Sequence, residues 1–221
     1  LGSSQFDTAY PFQSQIADDF QLSSAQDVTG IVWWGYFWNG PPTEINPCDF
    51  NVIFYADDGT GNMPTGAGLV DPTSTALQVY FFPAVMGTDV GGYFEYQVTL
   101  PTAFSASAAT KYWIAIQAVV DYPPQYGWAV SLDQTMHPCM QGFPLLGYNY
   151  WTDPGFGDVS FQLLGGAVVD TTPPVTTCVI TGTNPVTITL SATDGGSGVN
   201  FTKYKIDDGS YATYTAPVQV T

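Results

Sequence analysis

Basic residues are nearly absent from this chain: 3 Lys+Arg stand against 19 Asp+Glu in 221 residues, for a formal net charge of −16 and a pI near 4.1. Phosphate backbones are held by clustered Lys or Arg, so composition argues against a nucleic-acid partner. An anionic membrane surface is repelled for the same reason. Histidine occurs once, as His137 in Met136-His137-Pro138-Cys139. One histidine starves Ser/His/Asp and Cys/His constellations, and zinc sites, of their usual member. No enzymatic activity is expected, and His137 reads as a loop residue. No run of about 18 apolar residues is present, so no membrane insertion is expected. The chain starts at Leu1 without an apolar leader behind a basic flank, and reads as a processed or excised piece.

What is present points to strands. The hydrophobic fraction is 45% and the aromatic fraction 15%, which rules out disorder. Gly, Pro, Thr, Tyr and Ser are favoured over the usual helix formers. Period-two alternation recurs over 15–22, 28–37, 49–56, 77–83, 92–100, 111–119, 127–132 and 156–164, and each segment is bounded by Gly, Pro or Asp turn signals. The fold class expected is all-β, an antiparallel sandwich. Gly165-Gly166 and Pro173-Pro174 mark a stiff linker over 167–174. The alternation restarts over 175–181, 186–194, 201–207 and 211–220. Through Asp170 the chain carries 16 acidic residues against Lys111, a balance of −15; beyond it the balance is −1. The organisation expected is therefore an N-terminal segment (1–11), a sandwich (12–166), the linker (167–174) and a second, short β module (175–221). About four strands fall short of the seven of a full immunoglobulin-like sandwich. The second module is expected to be partial, completed by more chain or by a strand from elsewhere. The loose N-terminal segment is readable as a strand for donation to a neighbouring subunit.

The residues Asp170-Thr171-Thr172-Pro173-Pro174-Val175-Thr176-Thr177-Cys178, Val186 to Asp194 with Gly196-Ser197-Gly198-Val199, and Tyr204-Lys205-Ile206-Asp207-Asp208-Gly209 resemble Ig-like repeats of large secreted surface proteins of bacteria and archaea. Ile16-Ala17-Asp18-Asp19-Phe20, Trp33-Trp34-Gly35 and Lys111-Tyr112-Trp113-Ile114-Ala115-Ile116 look like a jelly-roll-type module placed beside such repeats. The resemblance covers the last quarter of the chain most specifically. It implies an extracellular or cell-surface setting and no defined catalysis.

Several residues carry candidate roles. Cys48 and Cys139 each follow a proline in a turn-like setting and are read as a disulfide between two loops. That leaves Cys178 as the odd one, either a buried, unreactive thiol or half of an intermolecular bridge. Asn200-Phe201-Thr202 is a glycosylation sequon. The loop Asp57-Asp58-Gly59-Thr60-Gly61-Asn62 sets the oxygens of Asp57, Asp58 and Asn62 among flexible glycines, as calcium prefers, but it lacks the alternating Asp and distal Glu of an EF-hand and reads equally as a plain turn after a strand. Asp19 and Asp158 would flank a second calcium site if the first and last strands of the sandwich paired. Neighbouring carboxylates such as Asp18 and Asp19 point to opposite strand faces, so they are not catalytic pairs. Trp34, Tyr36 and Trp38 share one strand face, opposite to Trp33 and Phe37, and Tyr150 and Trp151, with Tyr122 and Tyr126, are loop aromatics. These rings either fill the core, stack on sugars, or pack against subunits. Two functional expectations follow. One is a non-catalytic extracellular structural or adhesive protein, a layer, stalk or filament subunit that self-associates or meets neighbouring surface-protein subunits. The other is a carbohydrate-binding module of a larger secreted glycoside hydrolase, with polysaccharide as partner.

Overall fold

Alternating strands need two surfaces to bury against, and the chain supplies them by stacking two sheets. The computed structural model describes residues 2–7, 13–40, 45–69, 71–143, 148–167, 173–194 and 199–221, with only the backbone at 148–150 and 167. Two compact units divide the chain, Leu1–Ala167 and Val168–Thr221. The first holds β1 (Gly2–Ser3), β2 (Gln5–Phe6), β3 (Gln13–Gln21), β4 (Gln26–Trp38), β5 (Cys48–Ala56), β6 (Gln78–Val85) and β7 (Thr88–Asp89). It continues with β8 (Phe94–Ala106), β9 (Lys111–Val119), β10 (Gln125–Trp128), β11 (Met140–Phe143), β12 (Tyr148–Thr152) and β13 (Phe161–Ala167).

One sheet runs β1-β10-β4-β8-β7, with β13 also paired to β4; the other runs β12-β11-β3-β2-β9-β5-β6. The fold is all-β and sandwich-like, and its pairings are antiparallel except that β2 runs parallel to β9. Between the sheets lies an aromatic core. Trp33 stacks on Tyr96 at 5.3 Å and meets Phe50 edge-on at 5.1 Å, while Phe54 stacks on Phe104 at 4.2 Å. Each such ring removes roughly 150–250 Å² from water, about 4–6 kcal/mol gross at ~25 cal/mol per Å². An isolated ion pair offers far less, so these rings hold the fold. Gly35 lets the core close, because a Cβ there would fall 2.1 Å from the Tyr126 hydroxyl.

The N-terminal segment is not loose over residues 2–7. β1 pairs with β10 in one sheet, and β2 lies between β3 and β9 in the other, so the chain crosses between sheets at Ser4. Ser4 and Gln5 are fully buried. The Ser4 hydroxyl donates to Ile116 O (2.5 Å), and the Gln5 amide donates to Val120 O (2.9 Å) and accepts from Tyr126 N (2.7 Å). Residues 8–12 lie outside the described residues, as do 168–172 of the expected linker.

The expected disulfide is not formed; Cys48, Cys139 and Cys178 are free thiols. Cys48 opens β5 and Cys139 precedes β11, and β9 and β3 lie between those strands. Three strand spacings amount to about 14 Å. The register adds about six residues, or about 20 Å along the strands, far beyond the roughly 7 Å a disulfide tolerates. Both thiols are buried in the core, and burial pushes the Cys48 thiol up to about 12. Cys178, expected to be buried, is exposed.

The second unit contains β14 (Val175–Thr181), β15 (Val186–Thr193), β16 (Lys203–Tyr204), β17 (Ala212–Thr213) and β18 (Val218–Val220). β14, β15 and β18 form a three-stranded sheet, and β16 and β17 form a separate pair. Cross-strand register puts Cys178 opposite Leu190, Ile180 opposite Ile188, and Ile188 opposite Val218, so one face is apolar. None of the unit's described residues is buried, and Ile180 is 64% exposed.

Candidate functional site

β4 carries an outward strip. Its inward positions Ile31, Trp33 and Phe37 are fully buried, while Trp34, Tyr36 and Trp38 are half-buried on the opposite face, as alternation requires. The strip has a defined setting. Trp34 Nε1 donates to Glu95 Oε2 on β8 at 3.1 Å, tying the indole edge to the next strand. Tyr36 meets Tyr93 edge-to-face at 6.3 Å, and Tyr93 is 45% exposed. On the other side, Gly127 of β10 faces Tyr36 and brings no side chain to cover it. Alternate strand positions are about 6.7 Å apart, so the three rings form a spaced apolar row with polar edges.

The other expected aromatics divide. Trp151 is buried at 6% exposure: it packs edge-on against Tyr55 at 6.0 Å and donates to Thr65 O. Tyr126 is wholly buried in the core, where its hydroxyl accepts from Trp33 Nε1 at 3.1 Å. Tyr122 is 45% exposed. The side chain of Tyr150 lies outside the described residues. Asn200, the sequon residue, is exposed.

The acidic loop after β5 is closed by its own donors. Asp57 Oδ1 accepts from Gly59 N and Gly61 N, its Oδ2 accepts from Trp113 Nε1 at 3.0 Å, and Asp58 Oδ1 accepts from Thr60 N and Oγ1. Burial raises the Asp57 pKa, but these donors and Lys111 outweigh it and hold the carboxyl below its ordinary range. Asn62 donates its backbone N–H to Thr60 Oγ1. The donors that close the loop are those of a plain turn after a strand.

Asp19 and Asp158 do lie within electrostatic reach of each other, though not by pairing of first and last strands: β13 pairs with β4. Asp158 precedes Val159, which bridges Val130. Asp18 Oδ2 accepts from Val159 N (2.8 Å), Asp158 Oδ2 from Thr135 N (2.6 Å), and Asp19 Oδ2 from His137 N (3.2 Å). The positive charge is an ammonium: Lys111 Nζ bridges Asp19 Oδ2 and Gly61 O. Among the described residues no three His, Cys, Asp or Glu side chains are placed to hold a metal. Asp19 Oδ1 and Asp158 Oδ1 are buried without a hydrogen-bond partner. Burial, aided by Asp158 and Asp19, pushes Asp18 up to about 8 against the pull of the Val159 and Asp19 N–H groups. Asp19 is raised by burial, against the pull of Lys111 and His137.

Sequence reasoning missed a third feature, on the outer face of the seven-stranded sheet. A cleft of about 340 Å³ opens there, lined by Phe6, Gln13, Asn51, Asp71, Thr73 and Gln117. Its floor is a run of amides on β3, β5 and β9, with Asn51 directly across from Gln117. A turn at Pro72–Thr75, capped by Asp71, forms its wall. The available signal was the outward alternation of Gln13, Gln15 and Gln117, amides where a solvated sheet face ordinarily carries charge.

No curated protein and no solved structure matches the chain. One family model, described as Domain of unknown function (DUF7901), matches residues 2–155. The match takes in both crossing strands at the N-terminus, the β4 strip and the cleft, and because it covers more than half of the sequence, the chain belongs to the DUF7901 family.

Proposed function

We propose that this chain is a non-catalytic extracellular adhesive module that holds polysaccharide on the strip formed by Trp34, Tyr36 and Trp38. The observation that carries the reading is that strip: three half-exposed rings in a row on a rigid central strand, with one ring edge fixed by Glu95. Sugar rings present apolar faces and hydroxyl edges, and such a row offers stacking surface with a hydrogen-bonding rim. The acidic character of the chain favours a neutral glycan over an anionic one. Pull-down on insoluble neutral polysaccharides (cellulose, chitin, xylan) tests this. The Trp34→Ala, Trp38→Ala double variant is expected to lose binding by about tenfold or more, because aromatic anchors carry a large share of interface energy. Its melting temperature should stay close to that of the parent, since neither ring belongs to the core. Undiminished binding by the variant, or no retention of the parent on any of these glycans, removes the reading.

A second reading, a subunit of a surface layer or filament, is favoured by one observation: the apolar face of the second unit, which carries Ile180, Ile188, Leu190 and Val218, buries none of them. A face of that kind is ordinarily covered by another sheet.

A further inference from the structure

We infer that the cleft on the seven-stranded sheet is a second ligand site, independent of the β4 strip, which takes a small, neutral, hydroxyl-rich molecule of the mono- or disaccharide class. The lining chemistry selects the ligand. Gln13, Asn51 and Gln117 bring side-chain amides, which both donate and accept, as sugar hydroxyls do. Thr73 adds a hydroxyl, and Asp71 a carboxylate that accepts only. Phe6, Ile53 and Val79 give apolar contact for the carbon face of a ring. Among the described residues no Lys, Arg or His lines the cleft, and Asp71 repels anions, so phosphorylated or uronic ligands are disfavoured. The volume sits at the small end of ligand pockets, which span roughly 300–1,000 Å³.

The floor is held in advance of binding. Tyr55 Oη donates to Gln15 Oε1 at 2.8 Å, Gln15 Nε2 donates to Gln117 Oε1 at 3.1 Å, and Gln117 Nε2 donates to Ser14 O at 2.8 Å. This relay is buried, with Gln117 only 1% exposed. It fixes which end of the Gln117 amide is oxygen and which is nitrogen. A polar group oriented by neighbours on a rigid sheet loses little entropy on binding. Asp71 is oriented too: its Oδ1 accepts from Thr73 N (3.0 Å) and from the Thr73 hydroxyl.

The test is a titration of the isotopically labelled full chain, followed through the side-chain NH₂ resonances of Gln13, Asn51 and Gln117. The probes are glucose, galactose, mannose, N-acetylglucosamine and their common disaccharides, with glucose 6-phosphate and an alkylammonium salt alongside. At least one neutral sugar is expected to shift these resonances. Asn51→Ala and Asp71→Ala are each expected to weaken that binding by about tenfold, the loss of one hydrogen bond to the ligand. In the Trp34→Ala, Trp38→Ala variant the cleft amides should respond to the sugar as in the parent while polysaccharide retention on the strip is lost, so failure of the strip and failure of the cleft are read separately. Silence of these amides toward every neutral sugar overturns the inference. So does binding that survives both cleft variants, binding that follows Trp34 and Trp38, or a response to the phosphate or ammonium probe alone.

Discussion

Asp18 is a carboxyl group in an aromatic core, 2% exposed, and its neighbours are acidic: Asp19 behind it on β3 and Asp158 across from it. Its pKa is near 8 in the fold and 3.8 in the unfolded chain, so between these values the folded state binds a proton that the unfolded state releases. The resulting stability is complete below about pH 3.8 and is lost as pH rises through about 8. Raised Asp19 adds in the same direction. Stability should therefore fall from pH 5 to pH 8 by about 1 kcal/mol per pH unit. Asp18→Asn, neutral throughout, should flatten that slope while the overall fold persists. Urea unfolding of both proteins at pH 5 and pH 8 checks this, and equal slopes would remove the assignment. That Asp18 faces inward follows from alternation with Ile16 and Phe20, and it was legible in the sequence. That Val130 and Val159 deliver Asp158 to it was not, because that isolated bridge has no local pattern behind it.

At the scale of strands, what the sequence disclosed depends on what each strand buries. β9 and β14 fall where alternation places them, because Tyr112, Ile114 and Ile116 in one and Cys178 and Ile180 in the other repeat with period two. β2 escaped because Gln5-Phe6 has no period: a buried glutamine satisfied by Val120 O, Pro124 O and Tyr126 N depends on residues more than a hundred positions away. β11 and β12 escaped for the same reason, as did the amide floor of the cleft. The aromatic strip on β4 was legible, and Trp151 was not, because only the turn at Thr65 and Tyr55 reveal that it is covered. Gln5 gives the element-scale prediction. Replacing it with Ala leaves two carbonyls and one N–H without partners inside the sandwich, at a cost of about 2–4 kcal/mol. The thermal midpoint should drop by about 5–15 °C. A midpoint within 2 °C of the parent would show that β2 contributes little.

Over the whole molecule the two units differ in what they bury. The first encloses Trp33, Trp113, Trp128, Tyr55, Tyr96 and Tyr126 completely, and the second encloses none of its described residues. Local stability follows buried contacts. Hydrogen exchange on the full chain should then find the amides of β14 and β15 exchanging orders of magnitude faster than those of β9 in dilute solution. Protection of β14 and β15 that grows with protein concentration would mark the apolar face as a subunit contact; protection independent of concentration would argue against that role. The N-terminal crossing has a consequence in time. Ser4 and Gln5 bond to residues 116 to 126. During synthesis the first strands emerge before any of those partners exists. β2 can meet β3 at once, but β1 must wait for β10, and the other side of β2 for β9. β1 and the side of β2 that faces β9 thus close the sandwich only after β9 and β10 are made, and until then that edge is open to the corresponding strand of another nascent chain.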